Sequence, residues 1–167
     1  WNYPDVVTLG SDVHVAWNVF GNGVTEVLYT HSTDNGATFT PSRLVSLDDG
    51  NLSVQPQIAV DASGTVAITW TDARVYAEMS PGLWFTVSTD GGETFSTPLL
   101  SDRNAHCSDV AISGQDIYLV WTEGPSFEEQ VLVSYSSDRG ATFSAASVIE
   151  ASSERSSCPK IATAPDG

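Results

Sequence analysis

Three octapeptides constrain this chain more than any other feature. They are Ser32-Thr33-Asp34-Asn35-Gly36-Ala37-Thr38-Phe39, Ser88-Thr89-Asp90-Gly91-Gly92-Glu93-Thr94-Phe95 and Ser136-Ser137-Asp138-Arg139-Gly140-Ala141-Thr142-Phe143. Each reads S-[ST]-D-x-G-x-T-F. A pattern repeating at about 50 residues marks units that cannot bury their apolar faces alone and must stack on one another.

Other features recur in phase. Pro4-Asp5-Val6-Val7, Pro56-Gln57-Ile58-Ala59, Ser108-Asp109-Val110-Ala111 and Pro159-Lys160-Ile161-Ala162 open successive units. Trp17, Trp70 and Trp121 follow at matching places. The first unit offers four strand-like runs, Asp5–Leu9, Asp12–Trp17, Glu26–Ser32 and Arg43–Leu47. Val13-His14-Val15-Ala16-Trp17 and Val66-Ala67-Ile68-Thr69-Trp70 alternate along strands. Gly10-Ser11, Gly21-Asn22-Gly23, Ala62-Ser63-Gly64 and Ser113-Gly114 break them. No segment has a helical period. Four short strands per unit with a periodic Gly/aromatic motif predict an all-β chain, a β-propeller of four-stranded antiparallel blades. The blades span about 4–55, 56–107 and 108–158, and 159–167 starts a fourth.

The octapeptide explains itself as a turn between third and fourth strands. Asp and Ser or Thr side chains accept hydrogen bonds from nearby backbone N–H groups. Gly takes an angle that a Cβ forbids. Phe39, Phe95 and Phe143 are expected between blades, and so are the repeated tryptophans. Ser32, Asp34, Gly36 and Thr38 thus read as structural. So do Ser88, Asp90, Gly92, Thr94, Ser136, Asp138, Gly140 and Thr142.

Charge narrows the partners. The 167 residues hold 21 acidic and 6 basic side chains, net −15, which argues against nucleic acid because phosphates need Lys and Arg. No phosphate-binding Gly loop occurs. At 41% apolar the chain can build a core, yet no run approaches the roughly 20 residues of a membrane span. The chain opens on Trp1-Asn2-Tyr3-Pro4 without a signal peptide, which reads as a mature or trimmed product.

The three octapeptides resemble the Asp-boxes, or BNR repeats, of the sialidase superfamily, and the resemblance covers nearly the whole chain. It implies Asp-boxes on the outer rim, away from the active site, and six blades, of which this chain holds half. It also implies, for a sialidase, three arginines for the substrate carboxylate, a Tyr nucleophile activated by a Glu, and an Asp as general acid. The first arginine usually sits in Arg-Ile-Pro. This sequence has no Arg-Ile-Pro, so no catalytic residue is carried across. The nearest local match is Trp70-Thr71-Asp72-Ala73-Arg74.

Blade topology places Asn18–Thr25, Asp48–Gln55, Thr71–Leu83, Ser101–Cys107, Thr122–Gln130 and Ala151–Cys158 on the face opposite the Asp-box turns. Propeller ligands usually bind on that face, near the central channel. Arg74, Arg103 and Arg155 fall there, in three separate loops, and a guanidinium fork matches a carboxylate. Asp72, Tyr76 and Glu78 share the longest loop with Arg74 and could serve glycoside hydrolysis. The plain alternative pairs Arg74 with Asp72 and leaves Arg103 and Arg155 solvated. Asp48-Asp49-Gly50-Asn51 offers oxygens to calcium but reads as an ordinary turn. No cofactor or metal is implied.

Cys107 and Cys158 occupy one position in consecutive units, each just before a first strand. A disulfide there would staple two blades and suit an extracellular setting, although spacing alone does not bring the Cα atoms together. Asn51-Leu52-Ser53 is a glycosylation sequon. Three functional readings follow. The first is a non-catalytic, exported or cell-surface propeller that binds a glycan or surface protein, or forms part of a surface assembly. The second is a sialidase-type glycoside hydrolase with further catalytic residues beyond these 167. The third is a subunit that completes its ring, or a fibre, through open blade edges.

Overall fold

The computed structural model describes residues 4–73, 82–103, 105–124, 129–151 and 158–163. Twelve strands and no helix are assigned among them. Blade 1 is β1 (Asp5–Leu9), β2 (Asp12–Gly21), β3 (Val24–Ser32) and β4 (Arg43–Leu44). Blade 2 is β5 (Leu52–Val60), β6 (Val66–Ala73), β7 (Gly82–Ser88) and β8 (Leu99–Arg103). Blade 3 is β9 (Ala105–Ser113), β10 (Asp116–Glu123), β11 (Gln130–Ser136) and β12 (Ser147–Ala151). Consecutive strands within each blade pair antiparallel. One parallel bridge, Thr25 to Leu52, joins blades 1 and 2. The sheets do not close into a ring.

Strands run further toward the ligand face than expected. Asn18–Thr25 is not a loop: β2 and β3 stay paired out to Gly21 and Val24. Asn22 and Gly23 turn the hairpin with φ of +54° and +86°, the two left-handed residues of a tight, twist-matched turn.

The core is inter-blade. Trp70 packs with Ile58, Val66 and Ile68 of its own blade against Ala16, Val27 and Tyr29 of blade 1. Trp121 packs with Ile117, Leu119 and Leu132 against Ala67, Leu83 and Phe85 of blade 2. Each cluster lies between two sheets, so β6 is buried on both faces from Val66 to Asp72. Blade 1 has a described neighbour on one side only. His14, Ala16 and Asn18 are buried, while Val13, Val15 and Trp17 are half-buried on the other face. Phe39 is 47% exposed, and among the described residues no blade precedes its own.

All three octapeptide turns share one hydrogen-bond set. The Ser32, Ser88 and Ser136 hydroxyls donate to Asp34, Asp90 and Asp138 at 2.7 Å. The same oxygens accept the N–H of Gly36, Gly92 and Gly140 at 2.8–2.9 Å. Each Asp also takes the N–H of Thr38, Thr94 or Thr142 at 2.8–2.9 Å. Its second oxygen takes the Thr hydroxyl at 2.6 Å. These bonds, the Thr hydroxyl foremost, hold all three carboxyls at about 2, below an ordinary value of 3.8. A depressed folded pKa stabilises above the unfolded value and is lost as pH falls through the folded one. The turns should therefore loosen between about pH 4 and pH 2. Melting temperatures followed down that range should fall less steeply for Asp138→Asn, and an unchanged slope would reject the account.

Residues 158–163 lie along β9. The Ile161 N–H donates to Asp109 at 2.9 Å, and the Thr163 hydroxyl donates to the Ile112 carbonyl at 3.0 Å. The same device joins blades 1 and 2, where the Ile58 N–H donates to Asp5 at 2.9 Å. Residues 158–163 thus take the place of a following blade's first strand.

Candidate functional site

The first strand of blades 2 and 3 carries a bulge near its ligand-face end. In β5 the register with β6 slips between Val54 and Gln57, leaving Gln55 and Pro56 opposite Trp70. In β9 it slips between His106 and Asp109, leaving Cys107 and Ser108 opposite Trp121. Cys107 is therefore inside β9, at a bulge, and not ahead of the strand as its spacing suggests. Gln55, Cys107 and Cys158 hold φ of +55°, +43° and +47°. Left-handed geometry costs a non-glycine residue about 1 kcal/mol or more. Bulges concentrate beside functional sites because they re-aim side chains.

Gln55, Gln57, Cys107, Ser108, Cys158, Pro159 and Lys160 line one pocket of about 200 Å³. Cys107 and Cys158 are disulfide-bonded across it, with Cα atoms 4.6 Å apart. The Lys160 ammonium donates to the Gln57 side-chain oxygen and lies 3.6 Å from the Asp109 carboxylate. The Gln57 amide nitrogen donates to the Pro56 carbonyl at 2.7 Å. The pocket thus sets amide, hydroxyl and ammonium groups over a floor of proline and disulfide. Its volume is below the roughly 300–1,000 Å³ of drug-sized sites and suits a single ring.

Of the loop residues singled out from the sequence, Asp72 is the one whose side chain is described, and it is not among the residues lining this pocket. Asp72 is a strand residue, 2% exposed, whose carboxylate accepts the Ser53 hydroxyl at 2.8 Å. It leaves the loop because β6 pairs with β7 as far as Asp72 and Gly82. Arg74, Tyr76, Glu78 and Arg155 lie outside the described residues. Arg103 ends β8 opposite Gly82, and its side chain lies outside the described part. The Asn51 N–H and side-chain amide both donate to Asp49, at 3.0 and 2.7 Å, which makes Asp48–Asn51 a self-closed turn. Among the described residues no group of three or more His, Cys, Asp and Glu is placed to hold a metal ion.

Sequence reasoning passed over Gln55, Gln57, Ser108 and Lys160. Their phase with the cysteines was the available signal. It also passed over Glu26, which pairs across β2 with Val19. Burial pushes the Glu26 carboxyl up; the Ser46 hydroxyl opposes this, and Asp48, Asp49 and Asp72 add to it.

Solved structures similar to this chain include propeller glycosidases. A Hadza microbial sialidase matches at a TM-score of 0.61 and 19% identity, over 84% of this chain and 36% of its own. The *Penicillium chrysogenum* α-L-arabinanase complexed with arabinobiose matches at 0.64 and 13%, over 87% and 48%. An exo-1,5-α-L-arabinanase from a bovine ruminal metagenomic library matches at 0.60 and 11%, over 90% and 61%. At such identities the likeness is one of fold: the chain is an incomplete β-propeller of the kind these glycosidases use. It spans between about a third and three fifths of their length. No family model matches the chain, and no curated protein sequence matches it.

Proposed function

We propose that this chain is part of an exported or cell-surface Asp-box propeller that binds a saccharide in the Gln57–Lys160 pocket without transforming it. The observation that carries this reading is the pocket itself. Bulges from successive units converge on one ring-sized hollow at the ligand-face end of the first strands. Its polar groups suit sugar hydroxyls, and its proline and disulfide suit the apolar face of a sugar ring. The disulfide supports an oxidising compartment. Glycoside hydrolysis would need a carboxylate pair, and the Asp109 carboxylate beside the pocket is engaged by Lys160 and by the Ile161 N–H. Self-completion between copies has weaker support, because residues 158–163 occupy the edge of β9 that a second copy's β1 would use.

Calorimetric titration with arabinose, galactose and N-acetylneuraminic acid tests the reading. At least one is expected to bind, with Lys160→Ala and Gln57→Ala each weakening it about 10- to 100-fold, the worth of one or two charge-assisted hydrogen bonds. Equal binding by both variants would move the site elsewhere. Release of free sugar from an aryl glycoside would replace binding with hydrolysis.

A further inference from the structure

The seams between blades 1 and 2 and between blades 2 and 3 follow one plan, but the first carries ionisable side chains at positions that are apolar in the second. At the second, Phe143 from the Asp-box turn of blade 3 meets Phe85 edge-on at 5.1 Å. At the first, Phe95 from the turn of blade 2 meets Tyr29 edge-on at 4.9 Å. Tyr29 stands in phase with Phe85. His14 pairs across its blade with His31 as Ala67 pairs with Val87. Glu93 stands in phase with Ala141. Four apolar positions of the second seam are thus ionisable or hydroxylic at the first.

The substituted residues touch. His14, Tyr29 and His31 are each no more than 4% exposed, and their rings stack with centroids 5.9–6.1 Å apart. His14 Nδ1 lies 2.7 Å from the Tyr29 hydroxyl. His31 Nε2 lies 3.4 Å from the Glu93 carboxylate across the seam, and its buried Nδ1 has no partner among the described residues. Arg43 of β4 donates to the Glu93 carbonyl and sits 3.6 Å from its carboxylate.

We propose that the seam between blades 1 and 2 is a pH-responsive joint. Mild acid charges His14 within the His14–Tyr29–His31 stack and loosens blade 1 from blade 2, while the seam between blades 2 and 3 stays shut. With the proton on Nε2, a neutral His14 imidazole can accept the Tyr29 O–H at Nδ1, and an imidazolium has no acceptor to offer. Charge on His14 would be buried and would face His31, with Arg43 already at the seam. The acidic groups facing the stack are Asp12 on β2 and Asp90 and Glu93 on the turn of blade 2. Burial, then His31, keep the His14 imidazole below its ordinary 6.5, with Asp12 opposing. The sign follows. A group with a depressed folded value stabilises fully above about pH 6.5 and loses that contribution as pH falls through the folded value.

Hydrogen exchange of the chain, corrected for intrinsic rates, tests this at about pH 7.5 and about pH 5. Amides of β3 and of the turn over residues 88–95 should lose protection relative to those of the turn over residues 136–143. One proton permits up to roughly a tenfold loss per pH unit. The variant combining His14→Ala, Tyr29→Phe, His31→Val and Glu93→Ala copies the second seam and should abolish the difference. His14→Gln, a milder change that keeps an acceptor for Tyr29 and cannot titrate, should reduce it. Equal behaviour of the two seams in the native chain at both pH values would overturn the proposal. So would undiminished acid sensitivity in either variant.

Discussion

Gly92→Ala and Gly140→Ala are each expected to destabilise the chain by about 3 kcal/mol or more, and Gly36→Ala by only about 1 kcal/mol. All three glycines hold the same octapeptide position, with φ of +91°, +83° and +82°. Backbone strain is therefore common to the three. Space is not. A Cβ at Gly92 would lie 2.7 Å from Tyr29 Cζ and closer still to its hydroxyl. One at Gly140 would lie 2.5 Å from Phe85 Cε1. Both obstacles are rings buried in the preceding blade, 0% and 1% exposed, with no room to retreat. At Gly36 the nearest atoms are those of Phe39, at 3.9 Å. Urea unfolding of the three variants separates strain from packing. Equal losses at all three would mean that the octapeptide glycine serves its own turn only, and that the seam contact is incidental.

Trp70→Ala and Trp121→Ala should each cost about 3–5 kcal/mol, the range for emptying a buried aromatic site. Trp17→Ala should cost clearly less. The three residues match in sequence, but Trp70 and Trp121 are each 1% exposed, and Trp17 is half-buried on the face of blade 1 with no described neighbour. The indole N–H of Trp70 and of Trp121 meets no acceptor among the described residues. The loss is therefore one of packing, and Trp70→Phe and Trp121→Phe should recover much of it. Thermal unfolding measures all five variants. A Trp17→Ala penalty as large as the other two would show that blade 1 is packed on both faces in solution.

Much of the fold was legible because its signals are local. The octapeptide turn is closed by bonds spanning two and four residues, Ser32 to Asp34 and Asp34 to Thr38. Any copy of the octapeptide folds the same way wherever it stands. Strand alternation and turn glycines are likewise read within one unit, so the first blade's four strands were found. Their ends were not, because Asn18–Thr25 is held as strand by cross-strand pairing and by a turn only two residues long.

The site was less legible. Arg74, Tyr76, Glu78 and Arg155 were chosen by residue type and loop length, which says nothing of where a side chain comes to rest. Asp72 shows the difficulty: strand pairing draws it from its supposed loop into the protein interior. Gln57 and Lys160 are 103 residues apart, and each is unremarkable in its own segment. Only the bulges opposite Trp70 and Trp121 bring them to one pocket.

The sequence by itself determined the unit, its period and its turn chemistry, since those rest on contacts a few residues long. Tertiary structure decided which faces of those units are buried. Val13, Val15 and Trp17 form the more apolar face of β2, yet His14, Ala16 and Asn18 are the side that blade 2 covers. The physical reason is that a blade has no interior of its own. Its core lies between sheets, so burial, pocket and seam chemistry depend on which blade stands beside it.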